Sequence, residues 1–219
     1  MGALVAEFIG TFGLIFMGAG AIINGPRTGL TGIALAHGLA IFLGVSATGH
    51  ISGGHLNPAV TLAFLSTGRI EAGKAIQYII AQLLGGTVAA LILYMVCPGA
   101  QVTSAKLGTP LPDPSISLGA AVVVEFILTF FLVFVIFATA VDPRSPAKAI
   151  FPFCIGMTIA MDILMGGPIT GGSMNPARSF GPALVGGHWT AHWVYWVGPI
   201  LGGICAAKVY DSVLMEKKA

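Results

Sequence analysis

The chain has 219 residues, of which 56% are hydrophobic and only 8% charged, and its net charge is +2. A soluble domain carries about 25% charged residues, so this chain cannot cover a water-facing globule and lipid is the solvent it suits. The small net charge, with no long basic run, excludes a nucleic-acid partner.

The length fits about six spans of roughly 20 residues with short loops. Apolar stretches place them at 3–24, 30–49, 73–96, 118–141, 149–166 and 190–212. The opening MGALVAEFIG has no basic stretch and no small-residue cleavage site, so it reads as a permanent span and not as a cleaved signal peptide. Met1-Gly2 is only a weak cue for myristoylation, since the chain is already anchored. Two further segments, 57–67 and 175–185, are too short to cross and read as half-helices in re-entrant loops. Cys97, Cys154 and Cys205 are odd in number and far apart, which fits buried apolar side chains.

The halves repeat one another. AEFIGTF at Ala6–Phe12 matches VEFILTF at Val124–Phe130, and GGHLNPAV at Gly53–Val60 matches GGSMNPAR at Gly171–Arg178. Glu7 and Glu125 lie 118 residues apart, as do Asn57 and Asn175, while Gly85-Gly86 and Gly202-Gly203 recur at 117. Each repeat holds three spans, an odd number, so the second enters the membrane inverted. The expectation is an all-α membrane protein of six transmembrane helices plus two re-entrant half-helices. It is a single domain over 1–219: repeat one at about 1–97, a loop at about 98–117 and repeat two at about 118–212. With the N-terminus inside, Arg69, Lys74, Arg144, Lys148, Lys208, Lys217 and Lys218 are cytoplasmic and only Arg27 and Lys106 are outside. Basic loops face the cytoplasm, so both termini are expected there.

Asn57-Pro58-Ala59 and Asn175-Pro176-Ala177 each begin a half-helix. Asn is a favoured N-cap and Pro a favoured first helical residue. Two helix starts meeting at mid-membrane bring two partial positive charges together and repel cations. Amide donors of Asn57 and Asn175 would orient a passing water so that it cannot relay a proton. Arg178 follows the second copy, where Val60 follows the first. A cation at that depth is costly and marks a pathway, so Arg178 is a candidate donor and cation barrier at the outer constriction.

The loops SGGHLNPAV and GGSMNPARSFGPALV resemble those of the aquaporins, the major intrinsic proteins, and the resemblance runs from about Ala6 to Tyr210. It implies one pore per protomer, a homotetramer in a lipid membrane, passive conduction and no cofactor. It also implies an outer selectivity filter at His37, Ile163, Gly172 and Arg178, His55 lining the cytoplasmic half, and Glu7 and Glu125 bracing the re-entrant loops. Strict water channels of the family usually have Phe and His at the first two filter positions, and glycerol facilitators Trp, Gly and Phe at the first three. The set here is similar to that of some plant tonoplast intrinsic proteins, which conduct water and ammonia. Ser179, Ala183, Tyr195 and Trp196 fit the water-channel pattern, with Ser179 where glycerol facilitators usually carry Asp.

No metal site is expected, since His50 and His55 lack a third ligand nearby. His188 and His192, beside Trp189 and Trp193, read as an interfacial belt. Asp162, next to Ile163, is expected to hold a backbone group or the His37 ring, or else to stay protonated at a helix contact. The Pro-rich loop 97–117 should cover the outer mouth. Function then reads as a passive water channel that also passes ammonia and other small neutral solutes, with a glycerol or urea facilitator as the rival. A proton-coupled transporter would need titrating pore carboxylates, an adhesion protein would conduct nothing, and no triad supports an enzyme. The cell membrane is preferred to the vacuolar membrane.

Overall fold

The computed structural model describes residues 1–216. Lys217 and Lys218, two of the basic residues counted above, lie outside the described residues. The helices are α1 (Gly2–Ile23), α2 (Gly25–Ser52), α3 (Pro58–Ser66), α4 (Ala72–Val96), α5 (Gly99–Ser104), α6 (Leu118–Ile136), α7 (Phe151–Thr170), α8 (Pro176–Gly186) and α9 (Val194–Val209). A turn of π-helix extends α6 over Phe137–Val141 and α9 over Tyr210–Leu214. Six helices, α1, α2, α4, α6, α7 and α9, are long and apolar enough to cross a membrane. At 9 and 11 residues, α3 and α8 are not. No strand occurs among the described residues.

The outer faces carry large apolar side chains such as Ile9, Leu43, Ile80 and Phe131. Lipid is as apolar as these groups, so helix association depends on close packing at small residues. Gly38 of α2 and Gly156 of α7 lie against each other, and a Cβ on either would overlap the other's carbonyl oxygen. These two glycines are also 118 residues apart. The paired glycines of α4 and α9 divide their work. Gly85 abuts the Phe8 carbonyl on α1, and Gly202 abuts the Phe126 carbonyl on α6. Their neighbours receive the half-helices: a Cβ at Gly86 would sit 2.8 Å from the Ala177 carbonyl oxygen, and one at Gly203 3.3 Å from that of Ala59. Each half-helix is therefore seated on a long helix of the opposite repeat.

Two span boundaries differ from the sequence expectation and one agrees with it. The α2 path breaks at Gly29, whose φ of 62° and ψ of 175° are non-helical, so the continuous span begins at Leu30, as expected from the sequence. The fifth span runs on to Thr170, through Gly166, Gly167 and Pro168, and stops only at the left-handed cap Gly171. Glycine and proline there look like terminators in sequence, but packing holds the helix together past them. The last helix begins late, at Val194, because the segment from Gly187 is used in turns that include a positive φ at Ala191. Loop 97–117 is also not plain loop. It holds α5 and a 3₁₀ turn at Lys106–Gly108, with Leu107 buried.

At the end that carries both termini, side chains tie the loops to the last helix. Asp142 accepts from Arg144 Nη2 at 2.7 Å and from the Tyr210 hydroxyl at 3.2 Å, and Arg144 also donates to the Leu214 carbonyl at 2.7 Å. Arg69 pairs with Asp211 at 2.8 Å. The hydrogen bonds from Arg144 hold the Asp142 carboxyl well below the usual carboxylate range. A depressed pKa of this kind adds stability above the ordinary carboxylate value and loses it only as pH falls through the lowered value. Hydrogen-exchange protection of residues 142–150, corrected for intrinsic rate, should therefore hold between about pH 8 and about pH 5. In Arg144→Ala it should fall across that whole range.

Candidate functional site

In the two re-entrant loops the backbone leaves its helical pattern inside the span region, so its N–H groups need partners from the protein or from pore water. Two buried carboxylates provide them. Glu7 Oε1 accepts from the Ser52 hydroxyl at 2.7 Å and His55 N at 2.9 Å. Its Oε2 accepts from Leu56 N at 2.7 Å and Gln82 Nε2 at 2.8 Å. Glu125 repeats the pattern 118 residues on. It accepts from the Thr170 hydroxyl at 2.7 Å, Ser173 N at 2.9 Å and Met174 N at 2.8 Å. Nothing replaces Gln82 in the second copy, since Pro199 stands 117 residues beyond it. Tyr78 donates to the Ser52 carbonyl at 2.8 Å and Tyr195 to that of Thr170 at 2.7 Å.

The loops turn at Leu56 (φ 51°) and Met174 (φ 54°), both in the left-handed region. That conformation is unfavourable for a non-glycine residue, and the bonds to the flanking amides hold it. It aims each turn carbonyl at the other loop. Asn57 Nδ2 donates to Met174 O at 2.9 Å, and Asn175 Nδ2 donates to Leu56 O at 2.9 Å. Each Asn oxygen caps its own half-helix, Asn57 Oδ1 accepting from Ala59 N and Asn175 Oδ1 from Ala177 N. Pro58 and Pro176 take the first helical position, where no N–H is needed. An amide nitrogen has two hydrogens, so each Asn keeps one N–H for a ligand.

One cavity touches both Asn residues and runs from Phe64 and Ala140, near the termini end, to Arg178 and His37 at the other. Gly54, His55, Gly172 and Ser173 also line it. Among the described residues, the carbonyls of Gly53, Gly54, His55, Gly171, Gly172 and Ser173 accept no protein hydrogen bond. All of these but Gly171 line the cavity, and they give it free acceptors on either side of the Asn pair.

His37, Ile163, Gly172 and Arg178 come together at the end away from the termini. Arg178 is buried, and its Nη1 donates to the Gly108 carbonyl at 2.8 Å. Its Nη2 lies 3.4 Å from His37 Nε2, and its Nε finds no protein partner. His37 Nδ1 donates to the Ile33 carbonyl at 2.8 Å, which leaves Nε2 as the acceptor facing Arg178. The imidazole lies in a notch at Gly18, where a Cβ would overlap the ring. Gly172 has a φ of +55°, and a Cβ there would be 3.3 Å from the Ile163 Cα, so both shape and backbone exclude a side chain. His55 Nδ1 meets the Thr61 hydroxyl at 3.2 Å and its ring packs on Phe64.

Of the roles expected for Asp162, the hold on the His37 ring is absent, since His37 Nδ1 is taken by Ile33 and the buried Asp162 Oδ2 has no protein partner. His192 accepts from Trp196 Nε1 at 3.1 Å and packs on Trp189, and burial lowers its pKa. Sequence reasoning missed Gln82, Thr61, Gly18 and the Gly108 carbonyl. Tyr78 and Tyr195 were findable, since they share the 117-residue offset of the glycine pairs. Gly108 gave no signal, because what it offers is a backbone oxygen.

Residues 1–210 match the major intrinsic protein family. The chain belongs to that family. Aquaporin TIP4-4 of Zea mays is 46% identical over 98% of this chain and 87% of the relative. Probable aquaporin TIP3-2 of Arabidopsis thaliana is 43% identical over 97% of this chain and 84% of the relative. The fold is shared with the aquaglyceroporin of Plasmodium falciparum, at a TM-score of 0.89 and 31% identity over 96% of this chain and 95% of that one. The chain is thus an integral, multi-pass membrane protein of a channel family and not an enzyme, similar to plant tonoplast intrinsic aquaporins.

Truncating either brace strands buried donors, at about 1–3 kcal/mol for each one left unmade. Glu7 satisfies one donor more than Glu125, through Gln82. Both Glu7→Ala and Glu125→Ala should lower the thermal midpoint in detergent, followed by size-exclusion chromatography after heating, and Glu7→Ala should lower it further.

Proposed function

We propose that this protein is a passive pore for water that also passes ammonia and other small neutral solutes and excludes ions and protons. The observation that carries the reading is the mutual lock of Asn57 and Asn175 within one cavity. Each presents one N–H beside a half-helix N-terminus, where about half a positive charge resides. A water at that point accepts from both Asn residues and turns its hydrogens toward the free carbonyls on either side. Its donors then point away from the centre, so the file has no continuous proton path. Cations meet the two helix ends and the Arg178 guanidinium.

His37, Ile163, Gly172 and Arg178 act as the outer filter in this reading. Ile163 and Gly172 carry no aromatic group, while Arg178 and the His37 Nε2 offer a donor and an acceptor to ammonia. His55 lines the other half. The rival reading, a facilitator for glycerol or urea, draws on the likeness to an aquaglyceroporin. Against it, the position after Arg178 is Ser179, whose hydroxyl is bonded to that of Ser173.

The whole chain makes one pore, and the apolar faces of α2 and α7 suit a homotetramer. The basic residues Arg69, Lys74, Arg144, Lys148 and Lys208 support a cytoplasmic position for both termini. The relatives' tonoplast placement leans against the cell membrane preferred from sequence and toward an internal membrane.

Stopped-flow light scattering on proteoliposomes, with an osmotic step and then an ammonium gradient read by an internal pH dye, tests this. Fast shrinkage with fast alkalinisation is expected. Shrinkage without ammonia entry would mean a strict water channel, and neither would remove the reading. Arg178→Val should keep water flow and raise passage of larger or cationic solutes by about tenfold or more, read as guanidinium or urea uptake.

A further inference from the structure

The 118-residue repeat maps the outer ring onto a second set of residues. His37, Ile163, Gly172 and Arg178 correspond to Ile155, Val45, Gly54 and Val60. All four of the latter line the same cavity. The corresponding glycines share a left-handed φ, +62° at Gly54 and +55° at Gly172. The repeats are inverted, so this second set lies on the termini side of the Asn pair, as the first lies on the other side.

The two rings share backbone positions but differ in chemistry. The outer ring has two polar side chains, His37 and Arg178. The inner ring has Ile155 and Val60 in their places and no side-chain donor. They also differ in the space behind them. The His37 ring withdraws into the notch at Gly18. The residue 118 positions after Gly18 is Ile136, which itself lines the cavity, so Ile155 has no matching notch. A polar solute crossing the inner ring finds no side-chain partner on Val45, Val60 or Ile155 and keeps the loop carbonyls of Gly53, Gly54 and His55 together with the neighbouring His55 imidazole, whose Nδ1 is already engaged by Thr61. Water and ammonia are small enough to lose little. Urea, with four N–H donors and an acceptor, loses more.

We propose that Val45, Gly54, Val60 and Ile155 form a second, apolar selectivity ring, and that this ring, more than the outer one, limits the passage of neutral polar solutes larger than water and ammonia. The proposal rests on the channel reading above. It makes the protein's substrate range depend on residues that no comparison of outer filters would consult.

The test is the ratio of urea to water permeability in proteoliposomes, for the unmodified protein, Ile155→Ala, Val60→Ala and Ile163→Ala. The first and last variants make the same deletion in the inner and outer rings. Ile155→Ala should raise the ratio by about fivefold or more, Val60→Ala by about twofold or more, and Ile163→Ala by less than about twofold, by the usual effect of methylene-sized changes in an apolar site. An Ile163→Ala ratio equal to or above that of Ile155→Ala overturns the proposal, and so does an unchanged ratio in both inner variants. If Ile155→Ala does not reconstitute, Ile155→Val against Ile163→Val makes the same comparison with a smaller step. Absence of water flow in the unmodified protein is a different failure, and it would overturn the channel reading itself.

Discussion

Everything in this structure depends on satisfying bare peptide groups at mid-membrane. A pore needs polar groups along its wall, and lipid forbids them unless they are paired or wetted. Here each re-entrant loop is divided between two duties. Its N–H groups turn outward, into the protein, where Glu7 and Glu125 collect them. The carbonyls of Leu56 and Met174 are taken by the two Asn side chains, while those of Gly53, Gly54, His55, Gly172 and Ser173, residues that line the cavity, have no protein donor. The buried carboxylates are costly in themselves, and seven donors in all compensate for that cost. The left-handed turns at Leu56 and Met174 serve the same constraint, because in that geometry each loop hands a carbonyl to the opposite Asn.

The glycine distribution follows from this seating. A half-helix cannot be stabilised by crossing the membrane, so it must be held sideways. Gly86 and Gly203 let the helix starts approach α4 and α9 to backbone distance, and Gly85 and Gly202 bring those helices onto α1 and α6. Sequence position thus encodes a chain of contacts from lipid-facing helix to pore wall, written once in each repeat.

Much of this was legible in the sequence because inversion copies positions and not merely types. The 118-residue offset ties Glu7 to Glu125 and Asn57 to Asn175, and capping rules give the half-helix starts. What escaped was of two kinds. Some partners are backbone atoms, such as the Gly108 carbonyl held by Arg178, and a side-chain pattern does not announce them. Others are spaces, such as the notch at Gly18, which exists only once α1 and α2 are packed. Asp162 is singled out by the sequence, but its pairing with the His37 ring does not occur. It sits one residue from Ile163, and a step of about 100° on a helix separates a pore wall from a dry contact. Its unpartnered oxygen has no account in the surrounding structure.

The half-helices meet start to start, so their dipoles are opposed along the membrane normal. Each alone would add a fixed charge separation across half the bilayer. Together they leave a field that is strong at the centre and nearly cancels from face to face. The paired dipoles themselves therefore give a transmembrane potential almost no lever, and the buried full charge of Arg178 is what such a field acts on. The opposed half-helix starts are electrically assertive toward what passes between them, while their dipoles are nearly blind to the voltage of the membrane around them.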